Sequence, residues 1–222
     1  MIQLHNICKT YVLNGRRKVV AKNISATFPE RSSVALLGRN GAGKSSLLQM
    51  ISGTMSPDSG QIVSAGSISW PVGFAGSFHG DLTGLQNVRF IGRIYGVDTD
   101  ELVESVQDFA EIGQHFDLPV RSYSSGMRSR LAFGVSMAID FDTYLVDEVT
   151  SVGDAAFKEK SLRVFQDRMT KRSAIVVSHA IEMLKNMCQH GAVLEDGTLT
   201  YYDDLEEALK HHLDIIRQAR SK

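Results

Sequence analysis

Residues 38–45 read Gly38-Arg39-Asn40-Gly41-Ala42-Gly43-Lys44-Ser45, a GxxxxGKS octapeptide that follows the wholly apolar Val34-Ala35-Leu36-Leu37 and precedes a helix-like run over 46–51, beginning at Ser46. Each part has its own physical job. The apolar tetrad suits a strand buried on both faces, and the glycines let successive backbone N–H groups curl around phosphate oxygens. Lys44 brings a mobile positive charge to the β- and γ-phosphates of a nucleotide, and the Ser45 hydroxyl suits Mg²⁺. A glycine-rich turn without a ligand would use the same backbone, but the complete motif between a strand and a helix favours phosphate.

Three further apolar runs repeat the first. Tyr144-Leu145-Val146, Ala174-Ile175-Val176-Val177 and Ala192-Val193-Leu194, with helical stretches between some of them, read as buried strands of an α/β sheet. Nearer the N-terminus, residues 2–8, 19–28, 61–63 and 67–70 alternate or cluster apolar side chains between turns such as Leu13-Asn14-Gly15-Arg16 and Pro57-Asp58-Ser59-Gly60. That pattern predicts a set of antiparallel strands. Over 83–122 the period becomes helical, with Leu85, Val88, Ile91 and Tyr95 followed by Leu102, Val106, Phe109 and Ala110. A helix is predicted over 154–169 and another after Asp203-Asp204, whose carboxylates suit a helix N-terminus.

Asp147 and Glu148 follow the second of the apolar runs. The C-terminal end of a buried strand is where α/β sheets place ligands, so Asp147 suits a Mg²⁺ shell and Glu148 the polarising of a water that attacks the γ-phosphate. Without a phosphate loop upstream, the pair would read as ordinary solvated acids. His179 closes the next strand within reach of a γ-phosphate, although a lone histidine beside a core strand is also a common structural residue. In Ser122-Tyr123-Ser124-Ser125-Gly126-Met127-Arg128 a Ser-Ser-Gly turn opens a helix. It offers backbone N–H groups and a positive dipole end to a second phosphate contact, and one chain holding both halves suggests a dimer sharing its ATP.

Composition excludes several classes. At 222 residues with 43% hydrophobic content the chain can build one good core with a small inserted subdomain. A net charge of −1 without a Lys/Arg cluster leaves no electrostatic footprint for nucleic acid. The longest near-apolar run, 131–139, falls short of the roughly 20 residues a spanning helix needs, and no signal peptide is visible, so a cytoplasmic location is expected. Cys8 and Cys188 read as reduced thiols, and the adjacent His211 and His212 as solvent-facing rather than metal-binding, because neighbouring helical residues diverge by about 100°.

The ordered set of phosphate loop, Tyr-Ser-Ser-Gly-Met, Leu-Val-Asp-Glu and Val-Ser-His resembles the nucleotide-binding subunit of ABC transporters over essentially the whole chain. The resemblance implies an α/β fold: a P-loop NTPase core over about 1–75 and 132–222, with an antiparallel β subdomain and an inserted α-helical subdomain at about 76–131. It implies ATP and Mg²⁺ held by Gly38, Arg39, Asn40, Gly41, Ala42, Gly43, Lys44, Ser45 and Ser46, with Ser45 and Asp147 on the metal. By the same resemblance Tyr11 stacks on adenine, a role its position near a turn supports only as well as ordinary packing does. Glu148, His179 and Lys44 are implied as the catalytic set. Ser124, Ser125, Gly126 and Met127 match the signature motif that closes over the partner's ATP, and Ser151, Val152, Gly153 and Asp154 match the loop linking the two sites.

Departures sharpen the resemblance. Segments 67–74, 76–84, 123–131 and 146–157, with Val149 where most relatives carry proline and Met127 where they carry glutamine, look like the ATPase of bacterial capsular polysaccharide exporters. The total length points the same way, away from O-antigen relatives with a carbohydrate-binding extension. Likeness to those exporters implies a homodimer on the cytoplasmic face of the inner membrane, an integral-membrane permease subunit, and further periplasmic and outer-membrane export components. The resemblance also implies that the lipid-linked polysaccharide cargo is not bound directly by this chain. Export of O-antigen or teichoic acid is the neighbouring alternative. A soluble ABC ATPase acting on DNA or ribosomes is the alternative from another class. Most relatives place a glutamine between core and helical insert, and 70–83 contains none. Water, a backbone carbonyl or His79 takes its place, or coupling depends less on that contact; an exposed loop histidine remains the plainer account of His79.

Overall fold

Four strands, β1 (Ile2–Leu13), β2 (Arg16–Phe28), β3 (Ser33–Leu37) and β4 (Ser59–Ser64), and helix α1 (Lys44–Ile51) come first in a computed structural model that describes residues 1–13, 15–73, 76, 78–147 and 155–220. β1 is the middle of a three-stranded antiparallel sheet, β2-β1-β4. Its register sets Ile2 opposite Phe28 and Leu4 opposite Ala26, so the alternating apolar residues turn to one face and are buried there. β3, buried at all five residues, belongs instead to a six-stranded sheet. Its order is β5 (Ile68–Pro71), β6 (Thr143–Asp147), β7 (Ser173–Val177), β3, β8 (His190–Glu195) and β9 (Thr198–Tyr202), with only β9 antiparallel. Strand order reverses around β3, which is the place where an open α/β sheet forms a crevice at its C-terminal edge.

The expectation of an antiparallel strand at 67–70 is corrected. That segment is β5, which pairs parallel to β6 at the edge of the large sheet. The cause is a polar clasp far along the chain. The Asp142 carboxylate accepts from the Ser67 N–H and hydroxyl, each at 2.9 Å, and the buried Ser69 hydroxyl accepts from Leu145 N at 2.9 Å. Trp70 meets Phe141 edge-on at 5.4 Å. The hydrogen bonds from Ser67 hold the Asp142 carboxyl below its usual range.

By its contacts the chain divides into two compact units, one of Met1–Pro71, Phe141–Glu148 and Met169–Lys222, the other of Val72–Asp140 and Val149–Arg168. The second unit holds α2 (Gly84–Tyr95), α3 (Thr99–Ala110), α4 (Ser125–Ala138) and most of α5 (Ala155–Met169). A reciprocal capping box starts α2: Thr83 Oγ1 accepts from Gln86 N at 3.1 Å and Thr83 N donates to Gln86 Oε1 at 2.9 Å. Asp98 caps α3 by accepting from Asp100 N and Glu101 N. Phe109 stacks on Phe133 and meets Phe157 edge-on, fastening α3, α4 and α5 together. Main-chain bonds join the segment before α2 to the one before α4: Val120 N donates to Leu82 O and Arg121 N to Gly80 O, both at 2.9 Å. The buried Tyr123 lies beside Gly84, where a Cβ would strike its hydroxyl.

In the first unit α6 (Ile181–Met187) follows β7, and α7 (Leu205–Arg220) lies on β8 and β3. The approach of α7 depends on one position. A Cβ at Gly191 in β8 would stand far inside van der Waals contact distance of the buried Ala208 methyl. Gly191→Ala is expected to cost about 1–3 kcal/mol by overpacking, read as a lower denaturant midpoint. An unchanged midpoint would mean that α7 is not seated by this contact. Nearby, burial pushes the Cys188 thiol up to about 12, as befits a packed structural cysteine. Among the described residues no helix is long and apolar enough to cross a membrane.

Candidate nucleotide site

The turn after β3 ends on Gly43, whose φ of 110° a side chain would disfavour, and α1 begins at Lys44. No side chain caps α1 and no acidic residue occupies its first turn, so its leading N–H groups and positive dipole end are left to an anion. Lys44 folds back over the loop, donating from Nζ to Gly38 O at 2.7 Å and Arg39 O at 3.2 Å.

A cleft of about 510 Å³ opens over this loop. Asn40, Gly41, Gly43, Lys44, Ser45 and Ser46 line one side, and Asp147 at the end of β6 and His179 just past β7 line it as well. The cleft therefore gathers the phosphate loop, Asp147 and His179, three separate chain segments that the sequence alone had linked only by motif. Tyr11 also reaches it, from β1, and its hydroxyl meets Ser46 Oγ at 3.1 Å and donates to Met55 Sδ at 3.1 Å. The ring is half-buried at the cleft wall, with its polar tip tied to α1.

Lys18 is the cleft residue that sequence reasoning missed. It stands directly opposite Tyr11 in the β1–β2 register and lines the cleft, close enough that a Cβ on Gly41 would sit 3.3 Å from its Nζ. Only the cross-strand register carries that signal. Lys18→Ala is expected to weaken ATP binding about tenfold, measured by titration calorimetry. Unaltered affinity would remove Lys18 from the site.

The signature residues lie in the second unit. Ser124 is the N-cap of α4 and accepts from Met127 N at 3.2 Å; Ser125 and Gly126 begin the helix, and both serines are exposed. His79 is exposed, and its ring and backbone serve local turns: Nδ1 accepts from Asp81 N at 3.3 Å, while the buried Asn87 side chain bonds its main chain on both sides. Glu148 and the linking loop Ser151, Val152, Gly153 and Asp154 lie outside the described residues, as do positions 74, 75 and 77 of the segment lacking a glutamine.

The reading of His211 and His212 as solvent-facing is corrected. His211 Nδ1 bonds the Tyr202 hydroxyl at 2.9 Å, and both rings are half-buried. Tyr202 lies on another element, β9, and the phosphate loop beside His212 is distant in sequence, which is why helical phase alone misjudged them.

A buried parallel strand running into an open phosphate loop, with a carboxylate at the end of the next strand but one in the sheet, defines a P-loop nucleotide-binding protein. The chain belongs to the ABC transporter family, whose family model matches residues 21–151. It is 46% identical over 215 residues to the polysialic acid transport ATP-binding protein KpsT of Escherichia coli, covering 96% of each chain. To the ATP-binding protein BexA of Haemophilus influenzae it is 43% identical, covering 96% of this chain and 98% of BexA. The capsule polysaccharide export ATP-binding protein CtrD of Neisseria meningitidis is 42% identical, with the same shares covered. Among solved structures, a dimeric ATP-binding cassette in a post-hydrolysis state bound to ADP and Pi superposes with a TM-score of 0.77 at 21% identity, covering 92% of this chain and 99% of that one. The α/β cassette fold and the ABC ATPase class expected from the motifs are borne out.

Proposed function

We propose that the chain is the ATP-hydrolysing subunit of an exporter that moves capsular, lipid-linked polysaccharide across the bacterial inner membrane through a separate permease. The observation that carries the site is the single cleft shared by Tyr11, Lys44, Ser45, Asp147 and His179. The relatives named for polysialic acid transport and capsule polysaccharide export carry the cargo.

In this reading the backbone at 38–45 cradles the phosphates, Lys44 neutralises the β- and γ-phosphates, Tyr11 supports adenine and His179 faces the γ-phosphate. Ser45 and Asp147 offer the oxygen pair that suits Mg²⁺, a cation that takes one or two protein oxygens and fills its shell with phosphate oxygens and water. When bound it would supply neutralising charge to the phosphates. Glu148 orients the attacking water. A second copy contributes Ser124, Ser125, Gly126 and Met127, and Ser151, Val152, Gly153 and Asp154 link the two sites. Closure of the homodimer on ATP pulls on permease subunits docked near 70–85, at the cytoplasmic face of the membrane. The cargo touches the permease rather than this chain.

Co-purification from native membranes tests the assignment. A polysaccharide permease bound to the chain is the expected result. A permease for teichoic acid or O-antigen would reassign the cargo, and a ribosome or DNA complex would overturn the transport reading.

A further inference from the structure

Beside the main cleft lies a second cavity of about 330 Å³, lined by Gly38, Arg39 and Asn40 of the phosphate loop, by His179, and by His212 and Ile216 of α7. No motif led to His212. Its Nδ1 is buried without a hydrogen-bond partner, whereas Nε2, on the opposite edge of the ring, is not among the buried unpartnered atoms, and the residue lines the cavity. A buried lone pair without a donor is cheaper to leave than a buried N–H without an acceptor, which sets the proton on Nε2. The imidazole thus offers a donor to the cavity.

We propose that His212 is a phosphate-side binding residue which, with His179, donates to the terminal phosphate of ATP or to a water upon it, and so ties the C-terminal helix to the occupancy of the nucleotide site. The proposal rests on the ATP-binding reading given above and extends it to an element outside the recognised motifs. Charge supports it. Arg39 lines the cavity; Lys44 from α1, His179 from the end of β7 and His211 on the same helix act on the ring by charge; no carboxylate is among the lining residues. Burial, then Lys44, His179 and His211, hold the His212 ring below the usual histidine value of 6.5. Nucleotide-free protein therefore loses stability as pH falls from 6.5 toward that lowered value, where the unfolded chain takes a proton that the folded chain refuses. An ATP phosphate reverses the local sign and favours the charged ring.

Proton NMR of the histidine rings, with His212→Gln to assign the resonance, reads this directly in nucleotide-free protein, with ADP, and with a non-hydrolysable ATP analogue. The analogue is expected to raise the His212 titration midpoint by about one pH unit, and ADP by less. His212→Leu gives a second measure. Because it replaces a buried, unpartnered polar atom by an apolar group, the nucleotide-free variant should melt at or above the wild-type temperature. Yet it should lose part of the thermal stabilisation that the analogue confers, and His212→Gln, which keeps a donor near Nε2, should retain it. A purely structural histidine would do the opposite in both respects. Protein that binds the analogue with the His212 midpoint unmoved overturns this proposal alone; protein that binds neither nucleotide overturns the ATP-binding reading with it.

Discussion

Replacing Lys44 by alanine is expected to lower ATP turnover by about 10²–10³-fold while the protein stays folded. The ammonium is held at the phosphate loop by the Gly38 and Arg39 carbonyls, so its charge already stands beside the place where the phosphates would lie. In the variant α1 still packs through Leu47, Leu48, Met50 and Ile51, all buried. The melting temperature should therefore move little. Steady-state phosphate release and nucleotide affinity, measured on the same preparation, separate the effects. Turnover within a few-fold of wild type would displace Lys44 from its catalytic role.

Glu148→Gln should behave differently. The amide keeps the shape of the side chain but cannot orient or deprotonate water as a carboxylate does, so turnover should fall by about 10²–10⁴-fold with ATP binding intact. ATP then accumulates unhydrolysed, and the chain should collect as a nucleotide-dependent dimer visible by size-exclusion chromatography. Lys44→Ala should form no such dimer. If Glu148→Gln hydrolyses ATP at the wild-type rate, the base lies elsewhere.

The parts of the molecule legible in the sequence are those whose physics is local. β3, the loop at 38–45 and α1 follow one another along the chain, and an apolar strand, glycines and a helix are each readable from neighbours. The helical period over 83–122 likewise needs no distant partner, and α2 and α3 lie where Leu85, Val88, Leu102 and Val106 recur. Position 67–70 was opaque because what makes it a parallel edge strand is Asp142, far along the chain. Lys18 was opaque for a related reason: its place depends on standing opposite Tyr11, a consequence of register rather than of residue type. His212 reads as an ordinary helix residue until α7 is laid against β8, and that docking turns on the absent side chain of Gly191.

Two of the bonds between 80–82 and 120–121 are made by main chain alone, beside the exposed Arg121–Asp81 ion pair. Side chains there can drift over evolutionary time without cutting the link that leads to Ser124, so a comparison of letters would underrate it. Proline is the exception, because at Val120 or Arg121 it would remove a donating N–H. The two main-chain bonds themselves exclude only that one letter at 120 and 121.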